Sequence, residues 1–556
     1  STSIYGYNAA GGAINIITED VGAGELEQVT TLEFGGSEHA LDESWNGQLQ
    51  HQFRGARGDN QFIVSGAFGL TNSFFDGQGD RIPSDPRGQG GLAESDRYQL
   101  SGKFKRILTP EQAIELNLQS FRHNQDREFL RVSGDVSNNQ KTTAQEGEPT
   151  VVKDPGNEND VLQLKHTNDD FYGFESTSKL YHQSNLVRYD TTPFFGNQTL
   201  IESEKLGGRL TLNGDVTLPN KVDSTLIWGL DYLKDETQQR SVEGPIITPL
   251  MEQTSWAPFA QLEVPVGQDV LLRGGLRHEV LTMDIPTFTQ HPDFGGNTIT
   301  GGTLDYSETV GNLGLVWYVT NATDVRASFS QGFSVTEIGR TLRSTTASSV
   351  DAVDPGAQIV DSYELGLGSS WSTVDYDLTG FYNESELGTT YAFAGGDLKI
   401  QRQPEKIWGV EGSFNYDPSG PIKTGANGSY QEGKQDSNDD GTYESYLPGT
   451  RISPLKLSGY LEYTSGQQVT HRLQSQYWGN RDRFDGSTSY GEGEVKSELL
   501  FDYLATYQLD QGKVKAGINN LLDTFYFPVQ SQARNLDDSY TAGRGRSLKV
   551  TYQYNW

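Results

Sequence analysis

Apolar and aromatic side chains recur at every second position over short stretches along most of the chain. The pattern is clear in QFIVSGAF (61–68), QAIELNLQSF (112–121) and DVLLRGGLRHEV (269–280). A two-residue period is typical of a β-strand that has one apolar face and one polar face. Counting such segments from Leu26 to Trp556 predicts about 22 strands, the number found in large plugged outer-membrane barrels.

The connections between these segments are predicted to alternate strictly between short and long. Short connections include LTPEQ (108–112) and VTNATD (319–324), whereas long ones rich in Gly, Asp, Asn, Ser and Thr include 73–95, 123–158 and 433–453. Short turns at one end and long loops at the other are typical of a transmembrane β-barrel. A soluble β-propeller would instead repeat one motif of about 40–50 residues, and the sequence shows no such repeat.

The last ten residues, SLKVTYQYNW (547–556), sharpen this prediction. One face of the predicted strand is polar, and the other carries Leu548, Val550, Tyr552, Tyr554 and Trp556. A soluble edge strand this apolar on one side would tend to aggregate. In a barrel the same strand closes against the first one, and its aromatic residues lie at the membrane interface.

Composition excludes several other classes of protein. The formal net charge of −31, from 43 Lys+Arg against 74 Asp+Glu, makes nucleic acid an unsuitable partner. The absence of cysteine excludes disulfides and thiolate metal sites. An aromatic content of 11% argues against a disordered chain, and no apolar run is long enough for a transmembrane helix.

The sequence shows no pattern expected of an enzyme or a resident metal. The eight histidines are scattered, without the HxH or HExxH spacing of zinc sites. GxSxG, P-loop and zinc-finger patterns are also absent. We therefore expect a protein that is not an enzyme and has no catalytic residues, no metal site and no cofactor of its own.

The chain begins with YGYNAAGGAINIIT at residues 5–18, and five further motifs follow. They are FSQGFSVTEIGRTLR (329–343), DSYELGL (361–367), IWGVEGSF (407–414), GINNLLDTFY (517–526) and GRGRSLKVTYQYNW (543–556). In these motifs the chain resembles the TonB-dependent outer-membrane receptors, whose plug domain commonly ends in YGxxAxGGxINIxT. Their order and spacing are similar to those of siderophore receptors, above all the ferric-hydroxamate and ferric aerobactin types.

The resemblance implies an all-β fold, a 22-stranded antiparallel transmembrane β-barrel with a remnant of the plug domain. Residues 1–25 would be the end of the plug, and 26–556 the barrel. The implied function is uptake of a ferric siderophore across the Gram-negative outer membrane, driven by the proton gradient through the TonB–ExbB–ExbD complex. That complex would engage a TonB box in an N-terminal region preceding these residues.

The resemblance leaves other functions open. The alternative is a receptor for another large nutrient such as cobalamin or haem, or a passive outer-membrane channel. Haem is disfavoured because QGFSVTE (331–337) stands where haem receptors have a FRAP-type motif. Outer-membrane lipid, lipopolysaccharide and the barrel assembly machinery are further expected partners, and a monomer is expected. Iron would arrive as part of the siderophore.

Candidate ligand groups are arginines and aromatic residues on the long loops, because Arg pairs well with the carboxylate and hydroxamate oxygens of an anionic iron chelate. The alternative is that these charges only keep the loops hydrated. The sets are Tyr7 and Asn8 near the plug apex; Phe74, Phe75, Arg81 and Arg87; Arg122, His123, Arg127 and Arg131; Arg188, Tyr189, Phe194 and Phe195; Tyr391 and Phe393; and Trp478, Arg481, Arg483 and Phe484.

The residues of the family motifs are expected to be mainly architectural. Gly11 and Gly12 let the backbone turn tightly, Glu364 is expected to face the lumen, and polar side chains such as Asn520 can hold a turn. The full set is Tyr5, Gly6, Gly11, Gly12, Asn15, Glu364, Gly409, Glu411, Asn520, Asp523, Gly543, Arg544 and Trp556.

Overall fold

Twenty-two antiparallel strands form one closed sheet in the part of the chain that the computed structural model describes. The described residues are 24, 26–84, 93–191, 197–219, 221–335, 338–353, 356–394, 397–484 and 490–556, with the backbone alone for 390–394 and 397–401. The predicted strand number is confirmed.

Each barrel strand pairs with the next one along the chain. The first eleven strands are β1 (Glu27–Ser37), β2 (Asn46–Arg57), β3 (Asn60–Thr71), β4 (Ser95–Thr109), β5 (Gln112–Gln125), β6 (Gly156–Phe171), β7 (Phe174–Thr191), β8 (Gln198–Thr217), β9 (Asp223–Ser241), β10 (Ile246–Val266) and β11 (Val270–Ile285). The others are β12 (Gly302–Thr320), β13 (Thr323–Ser334), β14 (Gln358–Trp371), β15 (Val374–Ala394), β16 (Asp397–Tyr416), β17 (Ile422–Gln435), β18 (Lys456–Ser465), β19 (Val469–Trp478), β20 (Glu498–Leu509), β21 (Gly512–Asn519) and β22 (Ser547–Asn555).

Shorter elements lie in the loops. The helices are α1 (Leu41–Ser44), α2 (Ile338–Ser344) and α3 (Val529–Arg534), with 3₁₀ turns at Val136–Asn138, Pro292–Phe294, Val350–Ala352 and Asp537–Ser539. Two-stranded ribbons form between Phe74–Phe75 and Arg81–Ile82, between Phe129–Val132 and Thr143–Glu146, and between Phe288–Thr289 and Thr298–Ile299, while Ser445–Tyr446 pairs with the end of β17. No helix among the described residues is long and apolar enough to span a bilayer.

The sheet closes where β22 pairs with β1. The ladder runs from Ser37 opposite Ser547 to Val29 opposite Asn555. Trp556 extends this seam, because its backbone N–H donates to the Gln28 carbonyl at 3.0 Å and its indole N–H donates to Thr30 Oγ1 at 2.8 Å. The predicted closure by the last strand is confirmed.

The two faces of the wall differ as the alternation predicts. On the outer face, large apolar side chains are exposed, and five leucines spread around the barrel are each 60–64% exposed: Leu100, Leu180, Leu276, Leu313 and Leu365. In water such a surface would be an aggregation hazard, whereas in a bilayer it is the lipid-facing belt.

The inner face carries charged and polar side chains. On β11 the residues that alternate with Leu276 are Arg277 and Glu279, both almost fully buried. The Arg277 guanidinium donates to Asp231 of β9 at 2.7 Å and to the Glu279 carboxylate. Ion pairs therefore connect neighbouring strands on the inner face, because buried charges require partners.

The predicted strict alternation of long and short connections is wrong at three places. On the side of the long loops, the connections 192–197, 242–245 and 395–396 are short. The strands that they join, β7 to β10 and β15 to β16, are 18–21 residues long. A membrane-crossing strand needs only about 9–11 residues. The period-2 pattern continues through this extra length, so the chain forms hairpins that project beyond the membrane where we expected loops.

Three extracellular loops are joined to one another above the seam. They connect β3 to β4, β5 to β6 and β21 to β22, and we refer to them as the tied loops. Gly545 N–H donates to the Phe75 carbonyl at 2.9 Å, and Thr142 N–H donates to the Tyr540 carbonyl at 2.8 Å. Such backbone bonds fix one loop against the next, which makes this part of the mouth a defined surface.

A buried ion pair anchors the tied loops. Asp76 is 1% exposed, and its carboxylate accepts the backbone N–H groups of Gln78 at 2.9 Å and Asp80 at 3.1 Å. The ammonium of Lys141, from the next loop, pairs with Asp76 and lies 2.7 Å from the Asp80 carboxylate. One carboxylate thus holds its own turn and a neighbouring loop.

The loop between β13 and β14 turns inward. Its helix α2 packs against β10 and β16, which lie on opposite sides of the strands that the loop joins. A helix can touch both only from inside the barrel, so α2 lies across the mouth. Ile338 of this helix belongs to one buried apolar cluster with Leu281, Met283 and Phe333.

A disulfide across the seam tests the closing register. Thr31 lies opposite Gln553 in the ladder, at a position where antiparallel Cα atoms are about 4.5 Å apart. Thr31→Cys with Gln553→Cys is expected to oxidise to a covalent ring, detected as altered migration of the heated protein on a non-reducing gel. Thr31→Cys with Ser547→Cys, about 20 Å apart along the strand, is the control and should remain linear. A ring in the control and none in the matched pair would contradict the register.

Loss of the Asp76 charge tests the anchor of the tied loops. Asp76→Asn leaves the Lys141 ammonium without its buried partner, which costs on the order of 3 kcal/mol. We expect trypsin to cleave the tied loops about 100-fold faster in whole cells. Asp80→Asn removes a carboxylate that is 59% exposed, and it should change the rate little. Equal rates in the two variants would show that burial of Asp76 does not hold the loops.

Candidate functional site

A cavity of about 260 Å³ opens in the inner wall at the extracellular end of the barrel. Its lining comes from both ends of the chain, from β1 to β5 on one side of the seam and from β21, β22 and their loop on the other. The tied loops cover it through Phe74, Phe75 and Arg544. The cavity therefore lies where a solute entering from outside would meet the wall.

The charge of this cavity is opposite to that of the chain as a whole. Among the described residues that line it, Arg97, Arg544 and Lys549 are cationic and Glu33 alone is acidic. Lys549 pairs with Glu33 at 2.6 Å, so the two arginines carry the excess charge. In a chain of net charge −31, such a recess attracts an anion.

Each arginine is held in place. Arg97 Nη2 donates to Gln48 Oε1 of β2 at 2.6 Å. The guanidinium of Arg544 lies 3.3 Å from the centre of the Phe74 ring, a cation–π contact, and burial lowers its pKa from the ordinary value of Arg. Both groups are thus pre-oriented, which reduces the entropy lost when a ligand binds.

His123 adds a buried polar group to the lining. The residue is 5% exposed, and its Nε2 has no hydrogen-bond partner within the described part of the chain. Buried polar atoms are nearly always paired. His123 thus brings a ring nitrogen without a described partner to the border of the cavity.

Asn520 fixes the loop that carries Arg544. It has the left-handed backbone conformation, with φ of 48°, and its side chain bonds the backbone of Thr524 twice and the Arg544 carbonyl at 3.1 Å. Asp523 accepts the Arg546 N–H at 2.7 Å and contacts His39 Nε2 at 2.8 Å. These side chains position the turn, as the motif suggested.

Gly543 is required by close packing in the same loop. A Cβ at this position would lie 2.1 Å from the ring of Tyr526, whose pKa burial raises. The aromatic ring thus stands directly behind the backbone that leads to Arg544. A side chain at 543 would move Arg544 away from the cavity.

Some of the predicted ligand residues lie in or beside this cavity. Phe74 and Phe75 line it. Arg81 instead pairs with Glu43 and lies 3.7 Å from the centre of the Phe129 ring, so it holds loops together. Arg131 is 4.0 Å from Asp538 and has a similar place among the tied loops.

Arg122 and Arg188 lie in strands, so their predicted position on loops is wrong. Arg122 shares the outward face of β5 with the exposed Leu118, and it pairs with Asp160 of β6 at 2.6 Å. Arg188 shares the outward face of β7 with Leu180 and contacts Glu158 at 3.5 Å. Both guanidinium groups therefore point away from the lumen.

Two further predicted residues, Arg127 and Tyr189, do not lie on the outer face. Arg127 is buried just beyond β5 and pairs with Asp190. Tyr189 is also a strand residue rather than a loop residue, on the inward face of β7. Neither lines the cavity.

The last predicted set gathers around Glu432 of β17. Arg481 is 5% exposed and donates to Glu432 Oε1 at 2.9 Å, while Arg483 donates to Glu432 Oε2 at 3.1 Å and to the Tyr430 hydroxyl. This contact with the carboxylate raises the pKa of Arg483. Trp478 is the last residue of β19, with its ring 5.5 Å from Tyr526. Phe484 is partly exposed.

The remaining motif residues have structural positions in the wall. Glu364 lies on the inward face of β14 and accepts a hydrogen bond from Ser328 at 3.2 Å. A Cβ on Gly409 would lie 2.4 Å from the Tyr430 carbonyl oxygen. Glu411 lines a separate recess of the inner wall.

Several predicted residues lie outside the described part of the chain. They are Tyr5, Gly6, Tyr7, Asn8, Gly11, Gly12, Asn15, Arg87, Phe194 and Phe195, together with the side chains of Tyr391 and Phe393 in β15.

Sequence reasoning missed Arg97, Asn519 and Lys549 as lining residues and assigned Arg544 an architectural role alone. Strand alternation could have placed Arg97 and Lys549 on the inner face, since each follows or precedes an apolar outward residue. No local pattern could have shown that residues near 97 and near 549 meet, because that depends on closure of the sheet.

Relatives and solved structures share this architecture. The ferric aerobactin receptor of Klebsiella pneumoniae is 25% identical over all of this chain and 80% of that protein. The structure of the ferric enterobactin receptor from Pseudomonas aeruginosa superposes with a TM-score of 0.74 at 15% identity, covering all of this chain and 84% of that one. The copper transporter OprC gives a TM-score of 0.77 at 13% identity, over 97% and 81% of the two chains.

The model of one protein family matches the barrel itself. It covers residues 98–521, about three quarters of the chain, and its description is "TonB dependent receptor-like, beta-barrel". The matched residues include most of the closed 22-stranded sheet, most of its long extracellular loops and the inward helix α2. The chain belongs to the TonB-dependent receptor-like β-barrel family.

Proposed function

We propose that this protein binds a ferric siderophore at the extracellular mouth and takes it up in a TonB-dependent step. The observation that carries the proposal is the cationic cavity under the tied loops, which Arg97, Arg544 and His123 line. A ferric chelate of hydroxamate or carboxylate type presents negatively charged oxygens, which guanidinium groups bind well. The relative named as a ferric aerobactin receptor supports this ligand class.

The family places the protein in the Gram-negative outer membrane, among receptors and transporters rather than enzymes. TonB-dependent receptors bind ferric siderophores and interact with TonB. For this chain, the ligand would first meet the tied loops and then the two oriented arginines of the inner wall. No covalent chemistry is required of the barrel, which supplies a closed wall and a binding surface.

The contact with TonB is assigned to the N-terminal region of the protein. Residues 1–25 are proposed as the end of the plug domain, which would fill the barrel, with 26–556 as the barrel. Tyr7 and Asn8 would then lie near the plug apex, facing the same mouth. Outer-membrane lipid, lipopolysaccharide and the barrel assembly machinery are proposed as further partners of a monomer.

Uptake of labelled iron tests the proposal. The complete gene product is expressed in an iron-limited host that lacks its own ferric-chelate receptors, and ⁵⁵Fe uptake is measured from ferric aerobactin, ferric enterobactin and haem, with uptake of labelled cobalamin followed in parallel. We expect uptake from a siderophore and its complete loss in a host without TonB. Uptake that persists without TonB would instead indicate a passive channel.

Arg97→Gln tests the cationic cavity. A hydrogen bond to a charged group contributes about 1.5–3 kcal/mol, so the half-saturating concentration of the transported chelate should rise at least about tenfold. Arg122→Gln is the matched control, because Arg122 lies on the outer face, and it should leave uptake unchanged. Equal effects of the two substitutions would place the ligand elsewhere in the barrel.

A further inference from the structure

A second cavity, of about 360 Å³, lies in the mouth beneath α2 and far around the wall from the seam. Strands β8 to β11 form its floor and one side, and α2 forms the other side. Its volume is in the range of small-molecule pockets, about 300–1,000 Å³. It shares no lining residue with the cationic cavity.

The walls of this second cavity are mostly apolar. Met251 and Met283 line it from the barrel wall, and Val335 and Ile338 line it from the loop that carries α2. Methionine side chains adapt their shape to different apolar partners. Met283 and Ile338 continue into the buried cluster below, so this side of the cavity is firmly supported.

Close contact holds α2 over the cavity. A Cβ on Gly339 would lie 2.7 Å from Thr248 Cγ2 and 3.2 Å from Met251 Cε. The helix therefore approaches the wall as nearly as a glycine allows. This contact closes one end of the cavity and leaves the apolar space beside it open.

One polar group in the cavity is unsatisfied. Gln253, on the inward face of β10, is 5% exposed, and its Nε2 has no hydrogen-bond partner in the described part of the chain. An amide donor buried without a partner costs free energy that the fold would avoid by using an apolar residue there. A carbonyl oxygen on a ligand in the cavity would supply the acceptor that this amide lacks.

Cationic groups stand on the helix side. Arg340 and Arg343 of α2 both line the cavity, and the Arg343 guanidinium lies 4.9 Å from the centre of the Phe294 ring. Asp235 also lines the cavity, but it pairs with Lys205 at 2.8 Å, so an anionic chelate bound in the mouth would be drawn toward the two arginines. The cavity beneath the helix would receive whatever part of the molecule is apolar.

We propose that this cavity is a subsite for an apolar arm of the siderophore, joined to the iron-binding core through an amide or similar carbonyl. The carbonyl oxygen accepts the hydrogen bond from Gln253, and the arm lies against Met251, Met283 and Ile338. This inference rests on the proposed function and adds the substrate class to it: ferric chelates that carry an acyl or alkyl arm. A motif that we expected to be mainly architectural, FSQGFSVTEIGRTLR, then supplies the roof of a binding subsite.

The test compares two probes that differ only in the arm. They are the mono-methylamide and the mono-octylamide of ferric aerobactin, which carry the same charge, and the half-saturating concentration for ⁵⁵Fe uptake is measured for each in cells that express the complete protein. The wild type should reach half-saturation with the octylamide at a concentration about tenfold lower. Met283→Trp, which fills the cavity, should abolish this preference, and Gln253→Leu should reduce it. Arg122→Gln should keep it.

The outcomes separate the two proposals. Uptake of both probes with equal half-saturating concentrations in the wild type would overturn the subsite and leave the siderophore receptor standing. A preference that survives Met283→Trp would also overturn it, provided that the unheated variant shows the compact migration of a folded barrel on a gel. Failure of the wild type to transport either probe would contradict the proposed function for this chelate, and the subsite with it.

Discussion

The hydrogen-bonded seam between β1 and β22 is the constraint on which the rest of the structure depends. In hydrocarbon each unpaired backbone N–H or C=O costs several kcal/mol, so a membrane-spanning sheet cannot have a free edge. The ladder from Ser37 opposite Ser547 to Val29 opposite Asn555 removes both edges at once. Trp556 adds two more bonds at the end of the seam.

Closure also decides what each strand face can carry. Once the sheet is a cylinder, the outer face meets lipid and the inner face is screened from it, so charges such as Arg277 and Glu279 become possible inside the wall. The same enclosure lets polar residues such as Arg97 and His123 surround a recess. Above it, the tied loops and the buried Asp76 reduce the number of conformations that the mouth can adopt.

Much of the fold could be predicted from the sequence because strand alternation is local. The apolar face of 547–556 and the number of strands depend only on side chains two residues apart, and both are confirmed. The hairpins of β7 to β10 were missed since polar residues outside the membrane also alternate, and a loop is then hard to tell from a projecting strand. Arg122 lies on the outer face for the same reason, because strand β5 continues to Gln125 and the alternation of its faces includes Arg122.

The candidate site was less accessible to such reasoning. Phe74 and Phe75 were found because an aromatic pair in a long, polar loop is conspicuous, whereas Arg97 looked like one more charged strand residue. Its partners Arg544 and Lys549 are more than 440 residues away in the sequence. Contacts at that separation are set by the number and stagger of all the strands between them, which no short pattern contains.

The position of the cationic cavity across the seam links ligand binding to the completion of the chain. Glu33 lies in β1 and Arg97 in β4, whereas Lys549 lies in β22, the strand that closes the sheet. A chain released before β22 would contain nearly all of the wall but would lack Ser547, Leu548 and Lys549, which complete the far side of the recess. If the chelate binds in this cavity, as proposed, the site is complete only once β22 is in place, and a truncated receptor would not compete with intact copies for scarce iron.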